Sequence, residues 1–157
     1  MCVDNVAVVT GGPRPYRKSW WRRALNTLVR PLARLGLTGP RTHLLTVPGR
    51  VSGKLWSTPV SIVQLGDERW LVAPYGDRNW VKNGRAVGWV ELQRGRRRSR
   101  WELEELEPEA AVPVLQEYYR RGRVTRPFFE VTLDSPYGDW LAEAPRHPVF
   151  RLVAARA

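Results

Sequence analysis

The chain predicts a mainly β fold with added α-helices (α+β): a small barrel of about six antiparallel strands. Three observations point there. Short β-rich stretches separated by glycine turns begin at Arg41, two or three helical segments are set among them, and no internal repeat or low-complexity tract is present. At 157 residues the chain has the length of one domain with its own core. Residues 1–16 read as a flexible N-terminus, 17–38 as a basic amphipathic helix and 39–157 as the barrel domain.

Each element has its own signal. The N-terminal Val6-Ala7-Val8-Val9-Thr10-Gly11-Gly12 looks like the opening strand and turn of a dinucleotide-binding fold. The later glycines of G-x-G-x-x-G are missing, however, and Pro13 and Pro15 stand where the helix would start, which excludes that reading. Over residues 17–36, Trp20, Trp21, Leu25, Leu28, Val29, Leu32 and Leu35 recur at spacings near three and four, with Pro31 as a kink. Arg17, Lys18, Arg22, Arg23, Arg30 and Arg34 surround that stripe without an acidic residue. Such a helix either packs on the domain with its basic face solvated, or lies on an anionic membrane with its tryptophans at the interface.

Thr42 to Val47 is the first strand. Leu55 to Leu65, a turn at Gly66-Asp67 and Arg69 to Ala73 make a hairpin. Pro59 lacks the N–H that a ladder needs, so it is expected at an edge or a bulge. Asn79 to Val87 is a short helical or looped crossover. Trp89 to Gln93 and Ser99 to Leu106 flank an arginine turn at Arg94-Gly95-Arg96-Arg97. Pro108 opens a helix reaching Arg121, Ser135-Pro136 opens a shorter one, and Val149 to Val153 is the last strand.

The charge balance narrows the partners. Lys+Arg number 26 against 15 Asp+Glu, a net charge of +11, which favours an acidic partner. Only Lys18, Lys54 and Lys82 are lysines, and such arginine dominance also follows from a GC-rich genome, so clusters are informative where scattered arginines are not. The single Cys2 excludes an intrachain disulfide and fits a cytoplasmic location. No signal peptide and no run of ~20 apolar residues is expected. Cys2, His43 and His147 stand alone, so no zinc or iron site is expected.

Two constellations carry chemistry. In Pro48-Gly49-Arg50-Val51-Ser52-Gly53-Lys54, two cations and a hydroxyl sit among glycines: an anion clamp, or else a hairpin turn with solvated charges. Its spacing is not that of a P-loop. Ser57-Thr58-Pro59-Val60 follows at once. Ala73-Pro74-Tyr75-Gly76-Asp77-Arg78-Asn79-Trp80-Val81-Lys82-Asn83 then leaves a strand and enters a helix. Tyr75 and Trp80 offer flat faces there, and Asn79 and Asn83 share one helix face. The plainer reading is a helix capped by Asp77 or Asn79, with Trp80 in the core.

The arginines around Gly95 read as an exposed hairpin tip. The acidic run Glu102, Glu104, Glu105, Glu107 and Glu109 directly behind them weighs against nucleic acid. No G-x-S-x-G elbow or paired acid and base stands out, and no catalytic side chain is assigned. A clamp and ring-stacking residues without acid–base machinery suit a protein whose bound cofactor does the hard chemistry.

These two motifs, in this order and spacing, resemble the deazaflavin-dependent nitroreductase family, largely actinobacterial enzymes that use coenzyme F420. The likeness runs from about Leu44 to Arg151 and includes Thr125-Arg126-Pro127-Phe128-Phe129 and Glu143-Ala144-Pro145-Arg146-His147-Pro148-Val149-Phe150. It implies a split β-barrel like those of FMN-binding proteins, with residues 39–157 as the cofactor-binding domain. It also implies that Arg50, Ser52, Gly53 and Lys54 grip the acidic tail of F420. Ser57, Thr58, Pro59 and Val60 would run beside the deazaflavin, and Ala73, Pro74, Tyr75, Gly76, Asp77, Asn79, Trp80 and Asn83 would form the second cofactor segment. Asp77-Arg78-Asn79 departs from the more basic, proline-containing loop of better-known members. Tyr118, Tyr119 and Tyr137 are the candidates for the acceptor side.

The resemblance implies hydride transfer from reduced deazaflavin to a quinone, enone or nitro compound. It further implies a homodimer, as is common among split barrels, and peripheral membrane contact through residues 17–36. The competing expectations are a carrier of deazaflavin or FMN without turnover, and a charge-driven nucleic-acid or membrane-surface protein.

Overall fold

The computed structural model describes residues 41–155, so the expectations for residues 1–16 and for the helix at 17–38 lie outside the described residues. Six strands form the framework: β1 (Thr42–Pro48), β2 (Leu55–Leu65), β3 (Glu68–Val72), β4 (Trp89–Arg94), β5 (Arg97–Glu105) and β6 (Val149–Ala154). Every pairing is antiparallel, and the sheet closes in the order β1-β2-β3-β6-β5-β4. Helix α1 (Asn79–Val87) crosses between β3 and β4. Helices α2 (Pro108–Arg121) and α3 (Tyr137–Glu143), with 3-10 turns at Arg126–Phe128 and Ala144–Arg146, fill the excursion from β5 to β6.

Alternation along the strands builds two cores. Side chains at successive strand positions point to opposite faces. Leu45, Val47, Ile62, Leu71, Val90, Leu92, Phe150 and Leu152 fill the barrel, and Val81 of α1 plugs it. Val63, Trp70, Val72 and Val149 face outward and are covered by Val112 and Leu115 of α2, by Phe129 and by Trp140 of α3. Fully burying a side chain of the Phe class is worth roughly 1.5–3 kcal/mol, so Phe150 at 1 % exposure is a major contributor.

Helix α1 is a true helix rather than a loop. Gly88, at φ +76°, ends it by returning its N–H to the Gly84 carbonyl at 2.7 Å. Neither Asp77 nor Asn79 caps its start: Arg78 holds the cap position without a side-chain bond. The arginine turn is tighter than the sequence suggests. Arg94 and Arg97 are already paired, which leaves Gly95 and Arg96 as a two-residue turn.

Pro59 shows how a closed barrel can still contain an edge. The β1·β2 ladder runs through it without a bulge, with Pro59 opposite Leu44. The Ile62 N–H donates to the Arg41 carbonyl across that ladder, so by strand parity the Pro59 nitrogen faces the other flank. On that flank β3 pairs only with Ile62 to Leu65. Past Leu71 the chain leaves β2: Val72 pairs with Val149, and the Ala73 N–H donates to the Pro148 carbonyl at 2.9 Å. The barrel is therefore split between Leu55–Ser61 of β2 and the Ala73–Gly76 segment. Pro59 lies where no donor is needed.

Candidate functional site

The clamp is a tight turn between β1 and β2. The Gly49 N–H donates to the Lys54 carbonyl, and the Gly53 N–H to the Gly49 carbonyl, both at 2.8 Å. Gly53 sits at φ +67°, where a side chain would be strained, and a Cβ on Gly49 would come within 3.0 Å of the Trp56 indole nitrogen. The Ser52 hydroxyl accepts the Lys54 N–H at 3.3 Å. Arg50, Ser52 and Lys54 are exposed, and among the described residues no carboxylate pairs with Arg50 or Lys54.

The two constellations meet. Asn83, only 3 % exposed on α1, accepts the Arg50 backbone N–H at 3.2 Å and its guanidinium Nη1 at 2.9 Å through one side-chain oxygen. A helix that plugs the barrel thus fixes the orientation of the clamp arginine. Asp77 instead binds Arg85 at 2.5 Å and approaches Lys82 at 3.9 Å. Arg85 also forks onto Glu105 at 2.6 and 2.7 Å, and Glu105 holds its guanidinium pKa above the ordinary value, with Asp77 adding to the effect. Lys82 and Arg85 of α1 are paired with protein carboxylates, and among the described residues the cations of the clamp are not.

Along the split, Ser57, Thr58, Pro59 and Val60 are half-buried, with the Ser57 hydroxyl 2.9 Å from that of Thr46. Opposite them, Ala73 and Pro74 are buried, while Tyr75 and Gly76 are half-buried. The Tyr75 ring meets Phe128 edge-on at 4.7 Å, and its carbonyl accepts Arg78 Nε at 3.1 Å. Trp80 is half-buried with its ring 5.9 Å from Phe150, so it belongs partly to the barrel core; Asn79 is exposed. The donor set fits an elongated acidic ligand bearing a flat ring. Two unneutralised cations stand at one end, and a split lined by half-buried side chains runs from there. Two shallow cavities of about 320 and 430 Å³ lie elsewhere, between the start of α2 and the C-terminal stretch 144–149, and beside Trp89. Among the described residues no group of His, Cys, Asp and Glu could hold a metal ion.

Two of the three tyrosines, Tyr118 and Tyr119, pack on the same ring, Phe129. Tyr119 packs edge-on against Phe129 and Trp140 under Arg126, within the outer core. Tyr118 packs on Phe129, and burial pushes its phenol up to about 12, with the Thr125 hydroxyl opposing the shift. Tyr137 is 55 % exposed at the start of α3.

Sequence reasoning alone misses two features. Phe128 buttresses Tyr75, and His147 does not stand alone: its Nε2 lies 2.7 Å from Glu143 Oε1, with both residues 3 % exposed. The only sequence signal is the i,i+4 spacing in Glu143-Ala144-Pro145-Arg146-His147, which a solvated ion pair would share. Of the glutamates behind the arginine turn, Glu104 pairs with Arg151 and Glu105 with Arg85.

Comparison with known proteins agrees with the fold. The fold is a split β-barrel like that of flavin-reductase-like proteins. A model described as "F420H(2)-dependent quinone reductase" matches residues 17–130, and the chain belongs to that family. It is accordingly an F420-dependent reductase. No curated protein matches.

Solved structures similar in fold include one described as a domain-swapped dimer, at 20 % identity and TM-score 0.51, covering 84 % of this chain and 96 % of that one. An F420-H2 dependent reductase has 24 % identity and TM-score 0.50, covering 71 % and 93 %. A pyridoxamine 5′-phosphate oxidase-related, FMN-binding protein from Nostoc punctiforme has 12 % identity and TM-score 0.51, covering 88 % and 83 %.

Proposed function

We propose that the chain passes a hydride from reduced F420 to a small electron-poor acceptor, of which a quinone is the first choice and enones and nitro compounds the others. Arg50 and Lys54 hold the acidic tail, Thr58 to Val60 and Tyr75 border the ring, and Asn83 orients Arg50. The observation that supports this most is the pair of hydrogen bonds from Arg50 to the Asn83 side-chain oxygen, which ties the clamp to the helix at the mouth of the split. Reduced F420 supplies the hydride, and the protein's part is to hold donor and acceptor together and exclude water.

A homodimer belongs to the same proposal. Val51, Leu55 and Trp56 are 91, 64 and 51 % exposed beside the clamp, which supports it, as the neighbour described as a domain-swapped dimer also does. The basic, tryptophan-bearing residues 17–36 support peripheral contact with an anionic membrane. Among the described residues no helix is long and apolar enough to cross one.

Titration with F420, followed by tryptophan fluorescence and then by menadione-dependent oxidation of F420H2, tests the reading. Micromolar binding with turnover supports it. Binding without menadione, enone or nitroarene reduction replaces it with a carrier, and no binding removes it.

A further inference from the structure

We propose that the buried Glu143–His147 pair is a positioning device for the Ala73–Gly76 wall of the split; its effect on cofactor binding rests on the functional reading above.

The tail residues 146–148 form the floor of that wall. The Pro148 carbonyl accepts the Ala73 N–H at 2.9 Å. At the other end of the segment a Cβ on Gly76 would meet the Arg146 carbonyl at 3.3 Å, so the two backbones touch there, and Gly76 itself sits at φ +74°. His147 lies between these two contacts in the chain. Its ring is held from two sides. Nε2 donates to Glu143 Oε1 at 2.7 Å, and Phe129 stacks on the ring at 4.0 Å with a 21° interplanar angle.

Glu143 is itself fully engaged. Oε1 also accepts the Glu130 backbone N–H at 3.1 Å, and Oε2 accepts Arg146 at 3.1 Å. One carboxylate therefore joins the end of α3, the Phe128–Glu130 stretch and the tail. Phe128, next to the stacked Phe129, is the ring that meets Tyr75 edge-on. Both the floor beneath Ala73–Gly76 and the side support of Tyr75 thus converge on His147 and Glu143, although neither residue borders the split.

His147 Nδ1 is buried without a hydrogen bond of ordinary geometry. Burial draws the ring pKa below its usual value, against the opposing pull of Glu143 and the nearby Pro74 carbonyl. A neutral ring with its proton on Nε2 satisfies Glu143, so the tautomer follows from the network.

The amide variants separate the two nitrogens. His147→Gln places an N–H at the Nε2 position, and His147→Asn places one at the Nδ1 position and leaves Glu143 short of a donor. In the cofactor-free protein, amide exchange over residues 73–79 should quicken about tenfold in His147→Asn and stay within about twofold of the parent in His147→Gln, a difference of about one lost hydrogen bond. F420 affinity should fall in the same order, with the acceptor KM unchanged.

Parent-like exchange and F420 affinity in a folded His147→Asn overturns the proposal, as does equal damage in both variants. If His147→Asn does not fold, Phe128→Leu decides, since it removes the ring beside Tyr75 without touching the buried pair. Weakened F420 binding supports the linkage, and unchanged binding overturns it. Failure of the parent to bind F420 sinks the functional reading alone, because the exchange result in cofactor-free protein still decides the positioning role.

Discussion

The barrel carries two glycine turns studded with cations, at opposite ends, and a second segment meets only one of them. Gly49 to Lys54 joins β1 to β2 at the mouth of the split. Its arginine is held by a buried asparagine from another element. Arg94 to Arg97 joins β4 to β5 at the opposite end, where Arg94 follows Gln93, the partner of Leu44 near the start of β1. There Arg94 and Arg69 add to the burial that lowers the pKa of His43, and Arg69 lies over the Trp101 ring at 5.4 Å. Both turns have their glycine at positive φ, Gly53 at +67° and Gly95 at +58°. Both are cationic and both need a glycine at positive φ, and what separates them is the convergence of a second segment.

The sharpest way to break this contrast is to remove one cation from each turn. Arg50→Ala should weaken F420 binding about 10- to 100-fold, since a hydrogen bond to a charged group is worth roughly 1.5–3 kcal/mol. Arg96→Ala should change it less than about twofold, being screened and remote from the split, and equal losses in a titration would refute the distinction. A double-mutant cycle sharpens it. Asn83→Ala and Arg50→Ala should be less than additive in F420 affinity, with a coupling of about 1 kcal/mol. Additive losses would mean that Asn83 does not act through Arg50.

Substituting the glycines tests whether the turns are alike as turns. Gly53→Ala and Gly95→Ala should each cost about 1 kcal/mol in a denaturation midpoint, the penalty of a left-handed non-glycine residue. Only the first should also weaken F420 binding. The smallest effect is one of pH on the frame both turns share. His43 and His147 have folded-state pKa values below their ordinary value of about 6.5, so between the two values the unfolded chain binds more protons. Stability should be at its plateau above that pH and fall as pH drops below it, until the folded rings also protonate. His147→Gln should flatten this slope in urea melts from about pH 7 to 5, the range in which an ordinary histidine titrates; an unchanged slope would place the effect on His43 or elsewhere.

Much of the frame is readable along the chain because it is local. Leu55 to Leu65 is a strand with the bounds its composition implies, since alternation and β-propensity act residue by residue. Gly66-Asp67 and Gly95-Arg96 turn because glycine alone takes positive φ cheaply. Pro108 marks the start of α2 because a helix needs no N–H there. Asp77 reads as a cap because a short acidic residue before a helix carries the same signal whether it binds the backbone or, as here, Arg85. His147 reads as solitary because a partner four residues away announces nothing until burial forces the two together.

By itself the sequence determined the barrel, its turns, the absence of an intrachain disulfide, and a cationic glycine turn followed by an aromatic segment in an order that resembles a known family. Only the tertiary structure decided that Asn83 holds Arg50, that Pro59 occupies an edge inside a closed sheet, and that Glu143 and His147 stand behind Tyr75. The physical reason is range. Turns, strands and caps answer to the chemistry of neighbouring residues, whereas a shared carbonyl oxygen, an unpaired flank or a buried pair exists only where closure of the barrel brings distant segments within hydrogen-bond reach.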